Sequence, residues 1–132
     1  MRSFIASLVV SFAVLTTPAV AQWDVCNNYR SPVAAVDACT WLIRQGTFQP
    51  MSDVYCARGI AYRFLNDLER AIADFNVAIQ ISPRDSISYG QRGMAYKLKG
   101  NYAQALADLQ TAVALDGSNQ SAAKELRALR GY

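Results

Sequence analysis

The 132-residue sequence contains no histidine, and this absence limits the chemistry available to the chain. Histidine is the commonest general base and the commonest metal ligand of proteins, and many activated nucleophiles depend on it. The sequence also has no glycine-rich phosphate loop and no nucleophile motif. We therefore predict that the chain is not an enzyme and that it requires no cofactor.

Cysteine is scarce, with Cys26, Cys39 and Cys56 as the three examples and no CxxC pair among them. This spacing does not predict a metal site. In an oxidising compartment we expect one disulfide and one remaining thiol. We favour Cys26–Cys39, which would tie an extended N-terminal segment to the next helix and, in the chain-entropy picture, contribute roughly 3 kcal/mol. The rival pairing is Cys39–Cys56, because the helices that carry these residues are expected to pack together.

Clustered basic residues are absent as well. The chain has 13 Lys and Arg residues against 10 Asp and Glu residues, and the arginines are spaced singly. A nucleic-acid-binding protein requires clustered positive charge that neutralises several phosphates. The sequence therefore does not predict a nucleic-acid partner.

The one long apolar run lies near the N-terminus, at residues 4–15. A positive charge precedes this run and small residues follow it, which is typical of a secretory signal peptide over residues 1–21, cleaved between Ala21 and Gln22. A run of about a dozen residues is too short to span roughly 30 Å of hydrocarbon. We expect an exported chain, periplasmic or secreted, that has no membrane partner once the signal peptide is removed.

The remaining sequence is organised by a 34-residue repeat, with units at 52–85 and 86–119. Internal repeats of this length predict stacked supersecondary units. Ten residues of the first unit recur unchanged in the second, in constant register. They are Ser52, Tyr55, Arg58, Gly59, Ala61, Tyr62, Ala71, Ala73, Asp74 and Ala78.

Each unit has the pattern of a helical hairpin. Apolar residues recur at steps of three and four residues along both halves of the unit. Asn66 and Gly100 occupy the point between the halves, and both residue types tolerate the left-handed backbone that ends a helix. Gly59 and Gly93 are small enough to let the two helices approach closely, and Pro83 ends the first unit.

The repeats at 51–119 are flanked by segments that we interpret as caps, because stacked hairpins require their end faces to be covered. Residues 22–50 contain a helix that begins at Ser31-Pro32 and ends before Gly46, which we interpret as a degenerate half repeat. Residues 120–132 contain a C-terminal capping helix with a polar outer face. The sequence thus predicts an all-α domain of six helices without a strand.

The 34-residue pattern resembles the tetratricopeptide repeat. Both units depart from the family pattern by carrying an arginine, Arg58 or Arg92, where leucine is usual. The resemblance implies a right-handed α-solenoid of helical hairpins that binds a protein or peptide on its concave face. The matching residues of the first unit are Tyr55, Gly59, Tyr62, Ala71, Phe75, Ala78 and Pro83, and those of the second are Tyr89, Gly93, Tyr96, Ala105, Leu109 and Ala112.

The resemblance also implies which residues contact a ligand, because ligands of this family lie along the first helix of each hairpin. The Lys and Asn residues that hold a C-terminal carboxylate in chaperone-tail binders are missing, so we expect an apolar groove. Its occupant is a protein or peptide partner of unknown identity, a second copy in a self-associating homodimer, or residues 22–29 of the same chain. The implied groove residues are Asp53, Cys56, Ile60, Arg63, Phe64, Ile87, Gly90, Gln91, Met94, Lys97 and Leu98.

Two arginine–aspartate pairs recur with the repeat, Arg58 with Asp74 and Arg92 with Asp108. Each arginine lies on the first helix of its hairpin and each aspartate on the second. We expect guanidinium–carboxylate bridges that stabilise the hairpins. A catalytic interpretation would require the acids to converge in one cleft without neutralising partners.

Overall fold

The computed structural model describes residues 17–131, and within this range the regular secondary structure is all α-helix, as predicted. Residues 1–16 of the predicted signal peptide lie outside the described part. Among residues 17–131, none of the helices has the length and apolar character that a membrane crossing needs. The helices are α1 (Pro18–Cys26), α2 (Pro32–Gln45), α3 (Met51–Phe64), α4 (Leu68–Ile81), α5 (Ser86–Leu98), α6 (Tyr102–Leu115) and α7 (Gln120–Arg130).

The helices form three stacked hairpins and a closing helix. α1 packs on α2, α3 on α4 and α5 on α6, while α7 covers the end of the stack. The odd-numbered helices also contact one another along the stack, whereas α2, α4 and α6 contact only odd-numbered helices. The array therefore curves with α1, α3, α5 and α7 on its concave side, which is the α-solenoid expected from the repeat.

Helix α1 corrects the prediction of six helices and an extended N-terminal segment. Pro18 occupies the first turn, and the Thr17 hydroxyl accepts a hydrogen bond from the Val20 N–H at 3.4 Å. Ala19 and Trp23 pack against the core that α2 and α3 share. α1 is therefore the first helix of the degenerate hairpin, and the predicted cleavage site lies inside it.

Several turn and cap residues act as their residue types predict, although the side chain of Ser31, the predicted N-cap of α2, makes no capping hydrogen bond. Asn66 and Gly100 have φ values of 58° and 82°, so the α3–α4 hairpin and the α5–α6 hairpin each turn through a residue with left-handed backbone. The Asp67 carboxylate caps α4 by accepting the Arg70 N–H at 3.2 Å. The Asn119 side chain caps α7 by accepting the Ala122 N–H at 3.0 Å. Local sequence signals therefore position these helix ends.

The two repeat glycines occupy equivalent places in the core. A Cβ atom on Gly59 would lie 2.6 Å from the ring of Phe75, and one on Gly93 would lie 2.9 Å from Cγ of Leu109. Phe75 and Leu109 are fully buried at matching positions of α4 and α6. Close helix approach at these two glycines fixes the shape of each hairpin.

Candidate functional site

Both repeated ion pairs are present, and they lie within the helical stack. Arg58 donates from Nε and Nη2 to the two oxygens of Asp74 at 2.7 and 2.8 Å. Its guanidinium lies 5.6 and 5.8 Å from the ring centroids of Tyr55 and Tyr62. Nη1 donates to the Thr40 hydroxyl of the preceding hairpin at 3.2 Å. The hydrogen bonds to Asp74 raise the pKa of Arg58, so this pair is a structural clamp.

The second repeat reproduces the arrangement. Arg92 donates to both oxygens of Asp108 at 2.7 and 2.8 Å and lies between the rings of Tyr89 and Tyr96. Its Nη1 donates to the side-chain oxygen of Asn76 on α4 at 2.8 Å. Each arginine thus joins three helices. The sequence analysis identified the carboxylate partner but missed the acceptor on the preceding hairpin.

Cys26 and Cys39 form a disulfide that ties the end of α1 to the middle of α2. This is the pairing that we favoured, and the rival Cys39–Cys56 bond is absent from the described chain. Cys56 remains a thiol on α3 and is buried. Burial raises the pKa of this thiol to about 12.

The loop after the disulfide places Tyr29 on the concave face. Its ring centroid lies 5.9 Å from that of Phe64, and the ring packs against the core cluster that contains Ile60. The hydroxyl donates to the side-chain oxygen of Asn27 at 2.8 Å. Burial, with a smaller effect of Cys56, raises the pKa of Tyr29 to about 12. Part of the predicted groove is therefore covered by the N-terminal segment of the same chain.

Three of the predicted groove positions are not exposed. Cys56 and Ile60 are only 6% and 8% exposed because the N-terminal segment packs over this side of α3. Gly90 is buried beneath α7, where a Cβ atom would lie 3.4 Å from Cβ of Ala122. The contact of Tyr29 corresponds to the alternative in which residues 22–29 of the same chain occupy the groove, whereas the contact of α7 with Gly90 was not predicted. The apolar strip is therefore interrupted at Ile60, while Phe64 and Leu98 stay exposed.

The first of two pockets on the concave side has a volume of about 230 Å³. Two carboxylates, those of Asp53 and Asp85, are among its lining residues, and most of the others are apolar or aromatic. Burial and then the charge of Asp85 raise the pKa of Asp53. The sequence analysis missed Asp85, since that residue caps α5 from outside the helix. The lining residues are Trp23, Asn27, Tyr29, Asp53, Cys56, Ala57, Ile60, Asp85 and Ile87.

The second pocket, of about 140 Å³, lies at the opposite ends of α3 and α5. Lys97 donates to Glu125 of α7 at 2.6 Å. The Arg63 guanidinium lies 4.8 Å from the ring centroid of Phe64, and burial lowers its pKa. A polar outer face was predicted for the C-terminal helix, whereas the structure turns Glu125 of this helix toward Lys97 of α5. The lining residues are Arg63, Met94, Lys97, Leu98 and Glu125.

The concave face also carries exposed apolar residues and polar atoms without partners. Phe64, Ile87 and Leu98 are 53%, 57% and 57% exposed. Arg63 Nε and Gln91 Oε1 are buried without a hydrogen-bond partner in the described chain. Such atoms usually carry a free-energy cost in a folded protein, so each one requires an explanation.

Residues 17–131 contain no group of three or more His, Cys, Asp or Glu residues arranged to hold a metal ion.

A sequence model described as tetratricopeptide repeat matches residues 52–85 and 87–119, which together make up just over half of the chain. These two matches coincide almost residue for residue with the 34-residue units. No curated protein sequence gives a significant match.

Several solved structures share the fold over most of the chain. The TPR domain of Arabidopsis OM64 is 25% identical, with a TM-score of 0.77 over 86% of this chain and 94% of that one. The TPR2B domain of yeast Sti1, solved in a complex with pHsp70, is 28% identical, with a TM-score of 0.72 over 84% and 91%. The second TPR domain of human RPAP3, in complex with the HSP70 peptide SGPTIEEVD, is 24% identical, with a TM-score of 0.73 over 85% and 94%.

Proposed function

This chain belongs to the tetratricopeptide repeat family, and on that premise we propose that it is an exported scaffold that binds a protein or peptide partner on its concave face. The observation that carries the proposal is the pair of pockets along α3 and α5, each with apolar lining residues and charged edges. Concave sites of this composition are typical of peptide recognition. The similar yeast and human domains, with their bound chaperone and chaperone peptide, support a peptide ligand.

The partner is not a chaperone tail that ends in a carboxylate. Cys56 and Ile60 are buried apolar residues at two of the positions where tail binders of the family carry Lys or Asn. The pocket at this end of the concave face contains the carboxylates of Asp53 and Asp85, which repel a second anion. We expect the peptide SGPTIEEVD to bind at least tenfold more weakly to this chain than to the human domain in the same titration.

Photocrosslinking in the native cell envelope tests the scaffold proposal. A photoreactive residue at Met94, inside the second pocket, is expected to capture a partner, whereas the same residue at the exposed Gln110 of α6 is the matched control. Capture at Met94 should decrease when the pocket is blocked by Leu98→Lys. Crosslinks to a second copy of this chain alone would support the self-associating alternative. No crosslink from the folded protein would contradict both.

Export is a separate part of the proposal. It is supported by the order of charged, apolar and small residues in 1–21 and by the Cys26–Cys39 disulfide, a bond typical of oxidising compartments. Cell fractionation and sequencing of the mature N-terminus test it, with Gln22 as the expected first residue, so that the mature protein would keep only residues 22–26 of α1. An intact Met1 in the cytosolic fraction would contradict export and leave the binding proposal standing.

A further inference from the structure

We propose that the concave face selects a partner segment in which a Lys or Arg side chain lies next to apolar residues, and that this cation enters the pocket edged by Asp53 and Asp85. The proposal rests on the function proposed above and adds the chemistry of the partner. It differs from the apolar groove expected from the sequence. It also differs from the anionic tail bound by the similar human domain.

The negative charge of the pocket is not compensated by its other lining residues. Neither a lysine nor an arginine is among its lining residues. Asp85 has a structural role, since it accepts the N–H groups of Ile87 and Ser88 as the cap of α5. Asp53 lies in the first turn of α3 and accepts only a 3.4 Å bond from the Ser52 hydroxyl among the described contacts. An incoming cation would neutralise this site.

Aromatic rings line the same pocket as the two carboxylates. Trp23 and Tyr29 line the same pocket, and aromatic faces attract ammonium and guanidinium groups. Ile60 and Ile87 provide an apolar surface along which the methylene groups of Lys or Arg can lie. Carboxylates, rings and aliphatic walls in one pocket match a long cationic side chain better than they match an anion or a purely apolar one.

The two pockets, at opposite ends of the concave face, differ in the charge of their lining residues. Arg63 and Lys97 lie at the far ends of α3 and α5, in the second pocket, where Glu125 already neutralises Lys97. The end of the concave face at the second pocket thus carries the cation of Arg63, and the end at the first pocket carries the carboxylates of Asp53 and Asp85. This polarity orients a bound segment with its cation toward Asp53. An acidic segment would meet repulsion at the larger pocket.

A phage-displayed library of random twelve-residue peptides, selected against the protein with its disulfide intact, tests the proposal. We expect enriched sequences that contain Lys or Arg flanked by apolar residues, and loss of this enrichment when the selection uses Asp53→Asn. Enrichment without basic residues, or with acidic ones, would overturn the charge preference and leave peptide binding intact. Failure to enrich any sequence against the folded protein would overturn peptide binding itself.

Titration of one enriched peptide then measures the contact. Replacing its basic residue with norleucine should weaken binding to the wild-type protein by about three- to tenfold and should change binding to Asp53→Asn much less. Asp37→Asn, at an exposed position of α2 outside the pocket, is the matched control and should behave like the wild type. Equal losses in all three proteins would place the cation elsewhere and overturn the assignment to Asp53.

Discussion

At the scale of single residues, the arginines at the usual leucine position exchange apolar packing for a network of hydrogen bonds. Arg58 contacts two tyrosine rings, the Asp74 carboxylate and a hydroxyl of the preceding hairpin. A partly buried charge that loses its partner is strongly destabilising, whereas an apolar substitute for the whole pair often is not.

We expect Arg58→Ala to lower the free energy of unfolding by about 2 to 4 kcal/mol, because Asp74 would remain buried without a cation. The double variant Arg58→Leu/Asp74→Ala should recover most of this loss, since it removes both charges. Urea denaturation followed by circular dichroism measures the effect. Arg84→Ala, at an exposed position, is the control. Additive effects of Arg58→Leu and Asp74→Ala would contradict a coupled pair.

Gly59 sets the distance between α3 and α4. Since a Cβ atom there would lie 2.6 Å from the Phe75 ring, Gly59→Ala should destabilise the protein by about 1 to 3 kcal/mol despite the higher helix propensity of alanine. Gly117→Ala, where a Cβ atom meets nothing within 4 Å, should have little effect. Thermal unfolding of both variants provides the comparison, and equal melting temperatures would contradict the close approach.

Cys56 should be unreactive in the folded protein. Its thiol is 6% exposed, and its pKa of about 12 keeps it protonated at pH 8. Because the thiolate is the reactive form, we expect negligible reaction with a chromogenic disulfide reagent until urea is added, and then one thiol per chain. Rapid native-state labelling would show that the segment over Cys56 opens freely.

At the scale of elements, α1 and the loop that carries Tyr29 are held by the disulfide and by aromatic and apolar contacts. Trp23 stacks on Phe48 with ring centroids 4.9 Å apart, and Cys26 is bonded to Cys39. Both contacts lie outside the repeats. The N-terminal hairpin therefore depends on the bond more than the other two hairpins do.

Replacing both cysteines, as in Cys26→Ser/Cys39→Ser, should lower stability by about 3 kcal/mol. The same change should release Tyr29 from Phe64 and expose Cys56. Thiol labelling of Cys56 in this variant, compared with the wild type under identical native conditions, detects the release. Unchanged labelling together with lower stability would mean that the loop stays in place without the bond.

The elements that could be predicted are those that the repeat encodes twice. α3 to α6 follow from the recurrence of glycine, alanine and aromatic residues, and Asn66 and Gly100 fix both turns. α1 could not be predicted in this way, because residues 18–21 read equally well as the end of a signal peptide. The local signals there, Thr17 and Pro18, fit both a helix start and the break of an apolar run.

At the scale of the whole molecule, the concave face is a product of elements that are far apart in the sequence. Asp53, Arg63, Met94 and Lys97, which the repeat register predicts for the groove, line the two pockets. Asp85 and Glu125 could not be predicted because they come from a loop and from α7, and Trp23 and Tyr29 entered only through the alternative in which residues 22–29 occupy the groove. Their positions depend on how the stack curves, which periodicity alone does not determine.

The proposed scaffold should be a monomer when free. Tyr29 packs over Ile60, and the apolar side chains that stay exposed on the concave face, Phe64, Ile87 and Leu98, are far fewer than the roughly 20 to 30 residues per partner of a stable interface. Sedimentation velocity over a hundredfold range of concentration should give one unchanged species. A dimer that dissociates on Leu98→Lys substitution would instead favour the self-associating alternative.

The contact between α6 and α7 differs from the α2–α3 and α4–α5 contacts, in which Arg58 and Arg92 donate to the preceding hairpin. Leu126, which lies 34 residues after Arg92, is buried there in place of a third arginine, and Gln110, 34 residues after Asn76, is exposed. A leucine needs no carboxylate from a following helix, whereas an arginine at this register would require another hairpin to supply one. Packing of one apolar side chain therefore joins α7 to α6, whereas hydrogen bonds from an arginine join the earlier hairpins.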